Sequence, residues 1–333
     1  MTLAAAVTTA CRKEDAAQES GDPSSKTVNL TVNIDNPLNT RATGISGDET
    51  DEAKVNSLQV FVFNGEAIDG YASASNAKSL NLGCTTGSRT IYAIANAPSL
   101  TNVTSMSELL ATVSRLGENA TNLEMIGKKT EEIKADTKSV NIDIDRLASR
   151  IMVKKVTNAL TSPALKAQNF VLKSMYLINV AADINYGMSG DYQISTWYNK
   201  MYYQSGNNRG SLTFDTVNET VAAGTSHETA HYFYAYPNHA EHSSAESWSA
   251  RATMLVLKVQ IGTVLYNYPI LLPPLTSNHS YEIEEIQITR PGNLDDGKEG
   301  GKDEQEPVQG KDCEFTIFVK PWTTITVTDG TTI

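Results

Sequence analysis

A short segment with two histidines offers the clearest catalytic pattern in this sequence. His227, Glu228 and His231 match the HExxH arrangement, in which a helix holds two imidazoles on one face for Zn²⁺ and the glutamate acts as general base. Here the segment follows Gly224 and runs directly into the aromatic segment 232–236, which is typical of a strand. We therefore expect a solvated loop in which the imidazoles do not converge, with no catalytic residues and no metal; His227 and His231 remain weak metal candidates.

Three cysteines, at positions 11, 84 and 313, are the next candidates for covalent chemistry. Their spacing fits neither a zinc knuckle nor a disulfide framework, and Cys84 and Cys313 could either pair in an exported protein or stay as buried thiols. Cys11 ends a short apolar run of small residues and precedes a polar, linker-like segment. This pattern predicts lipidation of Cys11; the alternative is an ordinary secretory signal with an incidental cysteine.

Arg41 and Ala42 flank a predicted site of proteolytic processing. The segment after Arg41 is rich in glycine and acidic residues, which predicts exposure to a protease. The segment before it, residues 27–34, alternates polar and apolar side chains and is predicted to be a half-buried strand with Val28, Leu30, Val32 and Ile34 on its apolar face. Cleavage after Arg41 would cut this strand loose, whereas the alternative is an ordinary surface arginine.

A second amphipathic segment lies at residues 323–333, where Ile325, Val327 and Ile333 share one face. Burial of four apolar side chains contributes about 1.5–3 kcal/mol each, so loss of the strand at 27–34 would leave a groove that is unfavourable by roughly 6–12 kcal/mol. The segment 323–333 is therefore a candidate donor strand. If it fills the groove of the next copy, the contact is head to tail and builds a filament of identical subunits.

Length and charge limit the other classes of function. The chain has 333 residues, which suits two domains, and 40% of them are hydrophobic. Its net charge of −11 argues against nucleic acid and anionic membrane surfaces as partners, because both attract basic patches. No phosphate-binding loop or catalytic triad stands out, so we expect neither enzymatic activity nor a cofactor.

Many short alternating segments separated by polar turns predict an all-β protein with one or two short helices. A helix is expected at residues 105–116, where Ser105 can act as N-cap and Glu108 completes a capping box. The segments 185–226 and 291–312 lack apolar periodicity over most of their length and are expected to be loops.

Two tandem β-sandwiches are the expected architecture. The predicted boundaries are a signal remnant and linker at 1–26, an N-terminal sandwich at 27–145 that begins with the removable strand, and a C-terminal sandwich at 146–333 that ends with the donor strand.

Several segments, taken in order, resemble the major fimbrillins, the FimA-type pilins of the type V pili of Bacteroidales. They are 39–49, 55–66, 84–96, 146–153 and 278–292, followed by Cys313 and Trp322. The resemblance covers nearly the whole chain, except that the signal is short and 185–226 matches poorly.

This resemblance implies two transthyretin-like sandwiches and a specific route of assembly. A precursor lipidated at Cys11 would be anchored in the outer membrane, and an arginine-specific protease would cleave after Arg41 to leave Ala42 as the mature N-terminus. Identical subunits would then polymerise by donor-strand exchange into a cell-surface pilus, together with anchor and tip pilins, and support adhesion to a host surface or other bacteria.

A second class of function stays open. The chain could instead be a surface lipoprotein that does not polymerise and acts as an adhesin or as a glycan-binding accessory or tip pilin. The tyrosine-rich segment 186–203 could stack on sugars, although such aromatic residues more often pack within a sheet edge.

Overall fold

The computed structural model describes residues 25–35, 52–120, 122–188, 192–200, 212–243, 247–298, 301–308 and 313–322. The helices in these ranges are Met106–Ala111 (α1), Pro163–Lys166 (α2) and Lys302–Gln305 (α3), with a 3-10 turn at Leu116–Asn119. None of the helices in this part of the chain has the length and apolarity needed to cross a bilayer.

Strands make up most of the regular structure. Those of the first half are Thr27–Asp35 (β1), Ser57–Asn64 (β2), Ala67–Ser75 (β3), Ser79–Thr85 (β4), Gly87–Ala95 (β5), Val113–Arg115 (β6), Met125–Ile133 (β7), Ser139–Asp143 (β8), Asp145–Arg146 (β9), Ser149–Val153 (β10) and Val156–Asn158 (β11). Those of the second half are Phe170–Ile178 (β12), Val180–Ala181 (β13), Asp183–Asn185 (β14), Trp197–Tyr198 (β15), Phe214–Thr220 (β16), Ser226–His227 (β17), His231–Ala235 (β18), Met254–Ile261 (β19), Val264–Leu271 (β20), His279–Ile288 (β21), Asn293–Leu294 (β22) and Cys313–Pro321 (β23).

The N-terminal part is a sandwich of two sheets. A five-stranded sheet has the order β3-β2-β5-β7-β9, and a three-stranded sheet has the order β4-β1-β8. Their facing side chains form one buried cluster, in which Leu30 of β1, Val60 of β2 and Ile142 of β8 take part. Alternation of apolar and polar residues along β1, β4 and β8 turns one set of side chains into this core and the other toward solvent, whereas β2 is buried on both faces.

The C-terminal part contains two larger sheets. One has the order β16-β12-β19-β20-β22, and the other contains six strands, β10, β11, β17, β18, β21 and β23. Within the second, β21 pairs in parallel with β10 and β11 and antiparallel with β23. The far face of β2, with Phe61 and Phe63, belongs to the same buried cluster as Leu255 and Ile283. A continuous core therefore joins the N-terminal five-stranded sheet to the C-terminal sheets.

The predicted all-β class with two tandem sandwiches is confirmed. Ser105 does cap α1 by accepting a hydrogen bond from the Glu108 amide at 3.1 Å. The predicted end of this helix is wrong, because the chain turns into β6 at Val113 and pairs with β14. Pairing with a distant strand overrides the helical spacing of the apolar residues there.

The predicted loop segments also contain regular structure. Residues 185–226 include β16, a seven-residue strand that pairs with β12, and 291–312 include the short strand β22 and helix α3. In α3, Glu304 and Gln305 are buried. Their polar composition concealed these elements, because β16 is an edge strand whose side chains are mostly exposed or half-buried.

Candidate functional site

Strand β1 occupies the middle of the three-stranded sheet and is paired on both edges. It runs antiparallel to β4, with Leu30 opposite Leu82, and parallel to β8, with Val32 opposite Val140. A central strand with two partners satisfies backbone groups on both of them. Loss of β1 would expose one unpaired edge on β4 and another on β8.

The inward face of β1 fills the centre of the N-terminal core. Leu30 and Val32 are completely buried, Ile34 is 5% exposed and Val28 is half-buried at the end of the strand. The outward face is polar: the Thr31 hydroxyl donates to Asn81 Oδ1 at 2.7 Å. Without β1 the sandwich would have an open apolar slot flanked by two strands that offer hydrogen bonds, which is the geometry that β-strand addition requires.

Two glycines let the sheets approach each other on either side of this slot. A Cβ at Gly127 of β7 would overlap the carbonyl oxygen of Asp143 at the end of β8, and one at Gly70 of β3 would overlap the carbonyl oxygen of Gly83 in β4. Only glycine fits at these crossings, which allows β4 and β8 to lie close to the five-stranded sheet.

A second buried cluster surrounds Trp322, the last described residue. Its ring lies between two guanidinium groups, with Cζ of Arg146 at 4.6 Å and Cζ of Arg150 at 4.9 Å from the ring centroid, and it stacks on Tyr234. Trp322 is 1% exposed, so both cation–π contacts are desolvated, the condition in which they are strongest.

Glu52 supplies the opposite charge in this cluster. Its Oε2 lies 3.0 Å from Nη1 of Arg150, its Oε1 accepts a hydrogen bond from the Tyr234 hydroxyl, and its backbone carbonyl accepts one from Nε of Arg146 at 2.9 Å. Burial lowers the pKa of Arg146 to about 10, and the nearby Glu52 carboxylate opposes this shift. Arg146 therefore remains charged at neutral pH.

The position of this cluster along the chain links it to both predicted exchange segments. Glu52 follows the segment that contains Arg41, and Trp322 immediately precedes residues 323–333. Trp322 also donates its backbone N–H to the carbonyl of Asn278 at 2.7 Å. The cluster therefore fixes the position of Glu52, which follows the segment with Arg41, and of Trp322, which precedes residues 323–333.

The strand that leads to Trp322 is at the edge of its sheet. Among the described strands, β23 pairs only with β21. Phe318 and Val319, near its end, are 46% and 48% exposed. An apolar, unpaired edge of this type usually has a partner in the assembled state.

The remaining predicted site residues divide into two groups. Cys11, Arg41, Ala42, Ile325, Val327 and Ile333 lie outside the described residues. Cys84 and Cys313 are both buried, on β4 and β23, and they form no disulfide with each other.

The prediction that the two histidines do not converge is wrong. Nε2 of His227 lies 2.7 Å from Nε2 of His231, and the two residues are only 4% and 3% exposed. No helix is involved; His227 ends β17 and His231 begins β18, while Glu228 and Thr229 between them are exposed. The three residues between the two strands form a connection that brings His231 back to the same face of the sheet as His227, so that the side chains at i and i+4 meet.

The sequence analysis did not single out two sets of residues that prove to be part of these clusters. Arg146 and Arg150 appeared only within the segment 146–153 that carries the resemblance, although two arginines in an otherwise apolar segment are a usable signal of buried charge. Asp215 and Glu219, which contact the histidines, lie on β16, where a loop was expected. No local sequence pattern identifies contact partners that lie in different strands.

Comparisons with known proteins agree with this geometry. A family model described as "Major fimbrial subunit protein (FimA)" matches residues 27–190. The major fimbrium subunit FimA type-2 of Porphyromonas gingivalis is 28% identical over 200 residues, which are 53% of this chain and 50% of that subunit. The chain thus matches about half the length of this relative.

Solved structures share the fold over most of both chains. A FimA fimbrilin from Porphyromonas gingivalis has a TM-score of 0.62 at 18% identity, covering 90% of this chain and 98% of its own. A protein from Bacteroides eggerthii, described as a cell adhesion protein, has a TM-score of 0.64 at 19% identity, covering 90% and 97%. Residues 27–190 of the chain therefore match the model of the major fimbrial subunit protein FimA, and the chain shares the fold of a solved FimA fimbrilin.

Proposed function

We propose that this protein is a structural subunit of a cell-surface fimbria that polymerises by donor-strand exchange. The observation that carries the proposal is the position of β1, which fills a central apolar slot and is paired on both edges. In sequence, β1 is linked to the rest of its sandwich only through residues 36–56, and Arg41 lies in that link. A cut there leaves β1 attached by non-covalent contacts alone.

In this proposal the precursor is lipidated at Cys11 and anchored in the outer membrane. An arginine-specific protease cleaves between Arg41 and Ala42, and β1 leaves. The segment 323–333 of a neighbouring copy then fills the slot, with Ile325, Val327 and Ile333 replacing apolar side chains of β1. The contact is head to tail, so identical subunits extend a filament, with anchor and tip pilins at its ends. This assembly requires neither enzymatic activity of the subunit nor a cofactor.

The cluster around Trp322 supports this direction of transfer. Because Arg146 and Arg150 hold Trp322 inside its own subunit, the donor segment starts from a fixed point and extends away from it. We also propose that residues 27–145 and 146–333 are the two structural units, with Arg146 at their junction.

The experiment is limited cleavage of purified precursor with an arginine-specific protease. We expect a new N-terminus at Ala42, followed by ladders on unheated SDS gels whose amount rises with protein concentration. The matched controls are Arg41→Ala, which should remain uncut and single, and a chain lacking residues 323–333, which should be cut but form no ladder. Cleaved wild-type protein that stays monomeric at high concentration would refute the proposal.

A second candidate function rests on a cavity of about 410 Å³. Its lining includes Tyr192, Trp197, Asp183 and His239, a mixture of aromatic and polar groups suited to a sugar. Asp183, however, already accepts hydrogen bonds from the Tyr192 hydroxyl and the Ser195 amide. A non-polymerising, glycan-binding adhesin or accessory pilin would bind glycans as a monomer and lose binding in Trp197→Ala, whereas the fimbrial proposal predicts ladders in that variant.

A further inference from the structure

His227 and His231 contact each other at the edge where the two C-terminal sheets meet. Both histidines belong to the six-stranded sheet, where His227 pairs with Val156 and His231 with Val153. Their rings stack with centroids 5.0 Å apart, and the two Nε2 atoms are 2.7 Å apart. Two ring nitrogens this close need a proton or a metal ion between them, because their lone pairs would otherwise repel each other.

The outer nitrogen of each ring is held by a carboxylate. Nδ1 of His227 lies 2.6 Å from Oε2 of Glu219, and Nδ1 of His231 contacts Oδ2 of Asp215. Carboxylates only accept hydrogen bonds, so each Nδ1 carries the hydrogen and each Nε2 of a neutral ring presents a lone pair. Both carboxylates come from β16, the edge strand of the opposite sheet. This carboxylate–histidine pairing is the usual support behind a metal-binding imidazole.

Charge balance favours a divalent ion over a proton in this position. The two carboxylates contribute −2, a shared proton would leave the four side chains at −1, and a divalent cation would neutralise them.

We propose that His227 and His231 bind a divalent transition-metal ion through their Nε2 atoms, with Glu219 and Asp215 as outer carboxylates. Imidazole nitrogens suit Zn²⁺, Ni²⁺ and Cu²⁺. With metal–nitrogen distances of about 2.0–2.1 Å, tetrahedral geometry places the two nitrogens roughly 3.3 Å apart. The rings must therefore separate slightly, which the exposed residues Glu228 and Thr229 between them permit, and water completes the coordination. The bound ion would join β17 to β18, and the two carboxylates would connect its ligands to β16.

The test uses the untagged full-length protein in equilibrium dialysis against Zn²⁺, with Mg²⁺ as the hard-cation comparison. We expect one equivalent of Zn²⁺, no retention of Mg²⁺, and weaker binding as the pH falls and the imidazoles protonate. His227→Gln and His231→Gln should abolish binding, whereas His239→Gln, at an exposed histidine elsewhere in the chain, should leave it unchanged. Asp215→Asn, which keeps both ligands, should weaken binding by about 10–100-fold.

A second measurement needs no substitution. In wild-type protein, Co²⁺ should shift or broaden the ring-proton resonances of His227 and His231 before those of any other histidine. Absence of saturable Zn²⁺ binding together with unchanged resonances would show a shared proton only and would overturn the proposal. Unchanged Zn²⁺ binding in folded His227→Gln or His231→Gln would overturn it equally.

Discussion

The guanidinium of Arg146 stacks on the indole of Trp322, with its Cζ 4.6 Å from the ring centroid. Arg146 ends β9 of the N-terminal five-stranded sheet, and Trp322 follows the last strand of the C-terminal six-stranded sheet. The contact therefore connects the two halves of the described chain at the point where residues 323–333 begin. In the assembly that we propose, it is the fixed point from which the donor strand extends.

Removal of this ring should destabilise the protein strongly. We expect Trp322→Ala to lower the free energy of unfolding by about 3–5 kcal/mol, as is typical for a buried large aromatic side chain. Two guanidinium groups would also lose their cation–π partner. Urea denaturation measures the change, and Trp248→Ala, at a half-buried tryptophan, is the control with a smaller expected loss. Equal losses in the two variants would contradict the central role of Trp322.

Substitutions in β1 should affect the precursor and the fibre differently. Leu30→Ala should lower the stability of the uncut precursor by about 2–5 kcal/mol, because it creates a cavity in the N-terminal core. After cleavage and exchange β1 is gone, so the assembled protein should be unaffected. Leu82→Ala, opposite Leu30 on β4, should destabilise both forms. The dissociation temperature of the fibre in SDS provides the second measurement; a Leu30→Ala fibre as weak as the Leu82→Ala fibre would show that β1 stays in place.

The close approach of β7 to β8 predicts the effect of a single methyl group. Gly127→Ala should destabilise the N-terminal sandwich by about 1–3 kcal/mol, because the new Cβ would force the Asp143 carbonyl away. Gly83→Ala is the matched control, since a Cβ there meets no atom within 4 Å. Thermal unfolding should separate the two variants. A Gly127→Ala protein as stable as Gly83→Ala would mean that the sheets can separate at no cost.

Buried Glu124 predicts a dependence of stability on pH. Burial raises its pKa to about 7 from 4.5, although the hydrogen bond from the Tyr186 hydroxyl opposes this shift. In the unfolded chain Glu124 ionises at a lower pH than in the fold, so its contribution to stability should be complete below pH 4.5 and be lost as the pH rises through 7. The loss from this group is at most about 3 kcal/mol.

Glu124→Gln should remove this contribution. We expect the variant to be more stable than wild type at pH 8 and similar to it at pH 4, as measured by urea denaturation at both values. Glu132→Gln, at an exposed glutamate of β7, should follow the wild-type profile. A Glu124→Gln protein that is less stable than wild type at pH 8 would contradict a neutral Glu124 in the fold.

The sequence predicted those features that depend on local alternation. Strand β1 was expected from its period-two pattern, and the N-cap at Ser105 from its capping box. Features created by distant partners were missed. The end of α1 depends on pairing of β6 with β14, and the meeting of His227 with His231 depends on β16, whose polar residues look like a loop. Local patterns fix which face of a strand is buried, whereas tertiary contacts decide which charged groups meet.

The most direct test of strand exchange mixes two proteins that each lack one half of it. The acceptor is cleaved at Arg41 and lacks residues 323–333; the donor carries Arg41→Ala, so that it keeps its own β1 and its complete tail. We predict that each remains monomeric alone and that the mixture forms a 1:1 dimer and nothing larger, as measured by light scattering after size exclusion. A mixture that stays monomeric, or a donor that polymerises alone, would contradict the account.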